Sequence, residues 1–250
     1  MFRISFGTAL IGRQFQHLPV CESTNEIVLQ KLETQELSEG AMVLADFQSR
    51  GRGQRSTQWE SAAGLNLTFT VALEPLLAVH LQFYLNMVAS LAVTDCLETQ
   101  LGQELKVKWP NDIFFKDAKL CGILIQNNLK VNKIQSCAVG IGLNVNQMHF
   151  AYQQATSLKA ISGKAWNRPE LLLALATTLE ERYFQLKEGN TSVLKHDYLN
   201  RLYRMGEWHQ YQDEQGVFKG MISGVEESGH LLLRRKEKIT SYDFKELVFL

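Results

Sequence analysis

Residues 41–71 set the tightest limits on what this chain can fold into. Residues 41–47 are mostly apolar and read as a buried strand. Gly64 introduces Leu65-Asn66-Leu67-Thr68-Phe69-Thr70-Val71, where leucine, phenylalanine and valine alternate with polar residues. That period of two predicts a second strand, half buried in a sheet. Between the strands lies Arg50-Gly51-Arg52-Gly53-Gln54-Arg55-Ser56. The glycine spacing approaches Gly-x-Gly-x-x-Gly, but Ser56 fills the last slot and a strand follows in place of a helix. A dinucleotide-binding turn needs that helix, so this class is excluded.

The loop carries Arg50, Arg52 and Arg55, with no acid between Asp46 and Glu60. A Gly-Arg-Gly run can turn backbone N–H groups toward an anion, because glycine accepts angles that other residues resist. Arginine adds planar donor forks suited to carboxylate or phosphate. Charge alone favours a solvated basic loop, with Asp46 and Glu60 solvating or balancing it. The stretches that share the chain with it point elsewhere.

With 250 residues the chain can bury roughly three quarters of its unfolded surface. Basic and acidic residues balance at 26 each, so any pull toward anions is local and no nucleic-acid or membrane partner is expected. Cys21, Cys96, Cys121 and Cys137 lie far apart, and the six histidines are scattered. This spacing predicts reduced, mostly buried thiols in a cytoplasmic protein, and no structural transition metal. The N-terminus has no apolar core of a signal peptide, and no stretch reaches the length of a membrane span.

Residues 16–20 read as a short strand leading to Ser23-Thr24-Asn25-Glu26. Ser23 and Glu26 have capping-box spacing, predicting a helix that runs to about Thr34. Residues 81–101 show helical periodicity facing a core. In Lys106-Val107-Lys108-Trp109-Pro110-Asn111-Asp112-Ile113-Phe114-Phe115, Pro110 breaks a ladder, so residues 109–112 form a turn between two strands. Residues 117–119 make a polar turn, residues 120–126 a strand around Gly122, and residues 137–141 a further strand ending in Gly140-Ile141-Gly142-Leu143-Asn144. Pro169 opens a leucine-rich helix capped near Trp166 or Asn167, and more helix reaches about Met205. Short alternating strands with glycine turns then predict a small β-barrel.

Four polar clusters gather at strand ends or a helix start: residues 23–25, 48–59, 108–112 with Lys119, and 142–144. Three cationic elements beside one acid, Asp112, suit a nucleoside triphosphate with magnesium, which prefers a carboxylate plus phosphate oxygens. No Ser-His-Asp or Cys-His grouping is visible, so a covalent enzyme intermediate is not expected.

Together these residues resemble the biotin protein ligases. Ser23-Thr24-Asn25, Gln48, Gly51-Arg52-Gly53 with Trp59, Lys108-Trp109-Pro110-Asn111-Asp112, Lys119-Leu120-Cys121-Gly122-Ile123-Leu124 and Gly140-Ile141-Gly142-Leu143-Asn144 follow the order of that family. The resemblance implies an α+β fold. A mixed-sheet catalytic domain of the class II synthetase-like kind would span residues 1–200, and a small SH3-like barrel residues 201–250. It implies an enzyme that joins biotin to ATP as biotinyl-AMP and then passes biotin to a lysine of a biotin carboxyl carrier protein domain, of acetyl-CoA carboxylase or a related carboxylase. ATP and magnesium would serve as co-substrate and metal, with no tightly bound cofactor and a possible homodimer.

Residue by residue, the resemblance assigns Ser23, Thr24, Asn25 and Gln48 to biotin, Gly51, Arg52 and Gly53 to its carboxylate and the α-phosphate, and Gly122 to the biotin tail. Lys119 and Arg52 would be catalytic, with Lys119 also binding biotin at the reacting carboxylate and phosphate. Arg55, Trp59, Lys108, Asn111 and Asn144 would serve the nucleotide, and Asp112 the magnesium. Gln54 stands where some members have arginine, and Ser56 where glycine is usual. With about 16 residues before the first core element, no DNA-binding repressor domain is expected. A lipoate ligase or octanoyl transferase, and a sensor that binds biotin without turning it over, remain the alternatives.

Overall fold

The computed structural model describes residues 5–53, 57–244 and 246–250. Its centre is a mixed sheet whose strands run β1 (Phe15–Cys21), β2 (Met42–Gln48), β3 (Leu67–Leu73), β8 (Lys133–Leu143), β7 (Ala118–Lys130), β6 (Asp112–Phe115) and β5 (Leu105–Lys108) from edge to edge. The two-residue β4 (Leu77–Ala78) pairs with β8 off this path. Among the described neighbours in this order, only β1 and β2 run parallel, as a strand–helix–strand crossover through α1 (Thr24–Glu33) requires. The other neighbours in that order are antiparallel.

The alternation in residues 65–71 predicts one wet face, and the structure corrects this. Every residue of β3 is buried. The strand lies third from the sheet edge. Leu67, Phe69, Val71 and Leu73 face the main core with α2 (Phe83–Leu101), and Ala72 joins Val28 and Val43 beneath α1 on the other face. Thr68 and Thr70 are therefore buried polar residues that need partners. Helix α2 is itself enclosed, with α4 (Arg168–Lys187) and α5 (Thr191–Asn200) packed on its far side. The short α3 (Leu158–Ser162) precedes them. Asn167 caps α4 by accepting the Glu170 N–H, with Pro169 in the first turn, as the sequence predicts.

The C-terminal strands form a five-stranded antiparallel sheet in the order β12 (Lys238–Tyr242), β11 (Leu231–Arg235), β10 (Gly216–Val225), β9 (Trp208–Asp213), β13 (Val248–Phe249). Tyr211, Ile222, Leu231 and Leu233 belong to the same apolar cluster as the large sheet. The contact centres on one turn: the Trp109 indole N–H donates to the Gly229 carbonyl at 2.8 Å, and Phe244 packs 5.3 Å from the Trp109 ring. Trp109 and Pro110 thus fix the β5–β6 turn and also seat the second sheet. Among the described residues no helix is long and apolar enough to cross a membrane.

Candidate active site

The polar clusters separated in sequence converge on one face of the large sheet. Ser23, Thr24, Asn25, Gln48, Arg52, Gly53, Trp59, Asn111, Asp112, Lys119 and Gly122 all line a cavity of about 330 Å³. Lys108 and Asn144 line a second cavity of about 660 Å³, with Phe150, Ala151 and Tyr152. The two cavities share Gln48, Trp59, Asp112 and Lys119. Gly51 is buried beside the first, where an added Cβ would lie 2.9 Å from the Trp59 carbonyl oxygen. Arg55, with Gln54 and Ser56, lies outside the described residues.

The closed end of the first cavity is a hydrogen-bond chain. The Thr24 amide and hydroxyl donate to Gln48 Oε1 at 2.7 and 2.9 Å. Thr70 Oγ1 lies 2.7 Å from both Thr24 Oγ1 and Asn25 Oδ1. Asn25 Nδ2 donates to the Leu124 carbonyl and to Gln126 Oε1. Thr70 and Gln126 carry this chain, yet sequence reading assigned them nothing. The available signal was a threonine on the inward side of a strand whose other face is also buried. Gly140 admits the Asn25 amide, because a Cβ there would come 2.2 Å from Asn25 Oδ1.

The Ser23–Glu26 capping box does not form. Ser23 is the N-cap but makes no side-chain cap hydrogen bond, and Glu26 pairs with Arg52 instead. Loop charge outcompetes local capping here. Arg50 likewise pairs with Glu22. Among the described residues, Arg50 and Arg52 thus take their acids from α1 and the turn before it, and neither pairs with Asp46 or Glu60. Asp46 holds His17 and Arg168, and Glu60 accepts from Gln147 and the Ala151 amide. The loop folds on itself, with the Gly53 N–H donating to the Thr57 carbonyl at 2.7 Å and the Trp59 N–H to the Gly51 carbonyl at 2.9 Å.

Trp59 lies across a glycine floor. A Cβ on Gly122 would meet its ring at 3.0 Å and one on Gly142 at 2.4 Å. Among the described residues its buried indole N–H has no partner, nor does Asn144 Oδ1, whose amide nitrogen donates to the Thr156 carbonyl at 3.0 Å. A buried donor and a buried acceptor left open suit a polar ligand that completes them. Asn111 is buried and spends its amide on the Ile123 carbonyl, tying the turn to β7.

Lys119 and Asp112 meet at 2.8 Å in the wall common to both cavities. Burial first, opposed mainly by the Asp112 charge, lowers the Lys108 pKa. Asp112 is the one acid lining the first cavity. Among the described residues no three His, Cys, Asp or Glu side chains gather into a metal cage. A single carboxylate does fit magnesium carried by a polyphosphate, whose oxygens supply most of the ligands. The four cysteines are free, Cys121 and Cys137 buried, Cys21 and Cys96 partly so. Burial pushes the Cys96 and Cys137 thiols up to about 12, which removes them as nucleophiles.

Comparison with known proteins agrees with this geometry. The model of the biotin/lipoate A/B protein ligase family matches residues 17–144, which contain every element of the two cavities except Phe150–Ala155 and Phe244. A biotin–[acetyl-CoA-carboxylase] ligase of Paracoccus denitrificans is 31% identical over 206 residues, covering 79% of this chain and 85% of that one. A bifunctional ligase/repressor of Bacillus spizizenii is 28% identical over 242 residues, covering 95% of this chain and 74% of its own. The solved biotin protein ligase of Aquifex aeolicus, in complex with biotin and ATP, superposes with a TM-score of 0.77 at 29% identity, covering 95% of this chain and 99% of that one. The chain belongs to the biotin/lipoate A/B protein ligase family, as one of its biotin protein ligases.

Proposed function

We propose that the chain adenylates biotin with ATP and passes the biotinyl group to a lysine of a biotin carboxyl carrier protein domain. The observation that carries this reading is the pair of cavities joined at Lys119 and Asp112. Biotin occupies the first cavity. Its ureido group meets Ser23, Thr24 and Gln48, while Asn25, fully bonded to its neighbours, holds that end in shape. A dithiolane has no comparable donors and acceptors, so lipoate would leave these polar groups unpaired, a strong basis for rejection. ATP occupies the second cavity, with Lys108 toward its phosphates, Asn144 toward the nucleotide and Trp59 between the two ligands. Magnesium, when bound, neutralises phosphate charge beside Asp112.

In the first step a biotin carboxylate oxygen attacks the α-phosphorus and pyrophosphate leaves. Lys119 holds the incoming carboxylate and the phosphate in reach of each other and stabilises the charge that grows on the phosphoryl oxygens. Arg52, with the Gly51–Gly53 backbone, exchanges its Glu26 partner for the adenylate. In the second step the acceptor amine attacks the acyl carbon, AMP leaves, and the amine gives up a proton.

The balanced charge, 26 against 26, favours a ligase without a DNA-binding role. Four free thiols and an ATP substrate agree with a cytoplasmic setting. We divide the chain at residue 200, the C-terminal sheet serving as the smaller domain. In a homodimer, the outer edge of β1 would be the place for a second copy to extend the sheet. The test is calorimetric titration followed by a transfer assay. Biotin should bind alone, tighten ATP binding, and reach a purified carrier domain only when both substrates are present. Binding with no transfer at any substrate concentration would leave a sensor as the better reading.

A further inference from the structure

Lys108 ends β5 with its ammonium over two aromatic faces. Its Nζ lies 4.6 Å from the Phe114 ring centroid and 5.2 Å from that of Phe249. Phe114 belongs to the neighbouring strand β6, but Phe249 comes from β13, the last strand of the C-terminal sheet. Each ring is itself braced: Phe249 stands edge-on to Tyr211 at 5.2 Å, and Phe114 packs against Tyr203 at 5.8 Å. Strand β13 pairs with β9 through Val248 and Phe249, and the Leu250 N–H donates to the Gln210 carbonyl of β9, so the ring is placed by a short pairing.

The contrast with Lys119 gives this arrangement its meaning. Lys119 is neutralised by Asp112, whereas Lys108 forms no ion pair among the described residues. Ring faces attract a cation through their quadrupole without consuming its hydrogen bonds or its charge. A lysine held by a carboxylate shares its charge and at least one donor with that partner. A lysine held by rings keeps its three donors for whatever enters the cavity that it lines. Burial already lowers its pKa, the state of an ammonium that lacks solvation an anion could replace.

We infer that Phe249 is a positioning residue for Lys108, through which the C-terminal sheet fixes the cation that meets the ATP triphosphate. This rests on the reading of the second cavity as the nucleotide site. The ring does not touch the ligand; it orients the residue that does.

The test uses the full chain with Phe249→Leu, which keeps apolar bulk but removes the ring face, and Phe249→Tyr, which keeps the face. Steady-state adenylation should show the KM for ATP raised about threefold to tenfold in Phe249→Leu, as expected for loss of one cation–π contact. The KM for biotin should not change, and Phe249→Tyr should restore the ATP value. Independently, ¹³C-dimethylated Lys108, assigned with Lys108→Arg, should give a methyl signal shifted upfield by ring currents in the wild type. In Phe249→Leu it should move toward the position of an exposed lysine. An unchanged KM for ATP, an equal rise for both substrates, or an unshifted Lys108 signal in the wild type would each overturn the inference. The signal alone decides if Phe249→Leu does not fold. A wild type without biotin-dependent pyrophosphate release would instead remove the reading beneath it, while the ring-current shift would still report the clamp.

Discussion

Lys119 Nζ lies 2.8 Å from Asp112 Oδ1 in the wall between the two cavities. The residues come from adjoining strands β7 and β6, paired across a register shift that lets their side chains meet. An ammonium already oriented by a carboxylate needs little reorganisation when charge develops beside it. Lys119→Ala should leave biotin binding largely intact in calorimetry. Biotinyl-AMP formation should fall by about two to three orders of magnitude, as for loss of one oriented charge stabiliser.

Thr70 is fully buried and touches both Thr24 and Asn25. Thr70→Val keeps the shape but strands their polar atoms, at a cost of about 1–3 kcal/mol. The KM for biotin should rise about tenfold, with the KM for ATP unaltered. Thr70→Ser should recover most of the loss. Equal behaviour of the two variants would assign Thr70 to packing alone.

The glycine floor predicts an asymmetry between two substitutions. A Cβ on Gly142 would lie 2.4 Å from the Trp59 ring, whereas one on Gly224 finds its nearest heavy atom at 3.7 Å. Gly142→Ala should therefore destabilise the protein by about 1–3 kcal/mol in urea melts and weaken biotin binding. Gly224→Ala should stay within about 0.5 kcal/mol of the wild type.

Glu39 ties the loop before β2 to α4. Burial raises its pKa, but hydrogen bonds from Lys187 and Tyr183 outweigh that effect and hold the carboxyl below its ordinary range. A depressed folded pKa contributes stability that is complete above the unfolded value and lost as pH falls through the folded one. The destabilisation of Glu39→Gln, measured by melting temperature, should be full near pH 7. It should shrink steadily below about pH 4.3, where the unfolded carboxyl titrates.

Much of the site was legible because its chemistry sits in short runs. Lys119 and Asp112 are seven residues apart, and the glycines at 122, 140 and 142 mark where other groups press on the sheet. Tertiary contacts decided the rest. The capping box gave way because Arg52 takes Glu26 from another loop. The threonine–leucine alternation of β3 looked half wet because no local signal reveals that α1 covers its polar side. Phe244 in the cavity wall and Phe249 behind Lys108 come from a segment without a motif of its own, and only the docking of the second sheet on Trp109 brings them there.

The most direct test is pyrophosphate release from ATP by the purified chain, with mass detection of the acyl-adenylate, in the presence of biotin, lipoate or neither. Two cavities meeting at Lys119 predict release and biotinyl-AMP with biotin, and background without it or with lipoate. Release that ignores biotin, or runs equally with lipoate, would contradict the assignment of the first cavity.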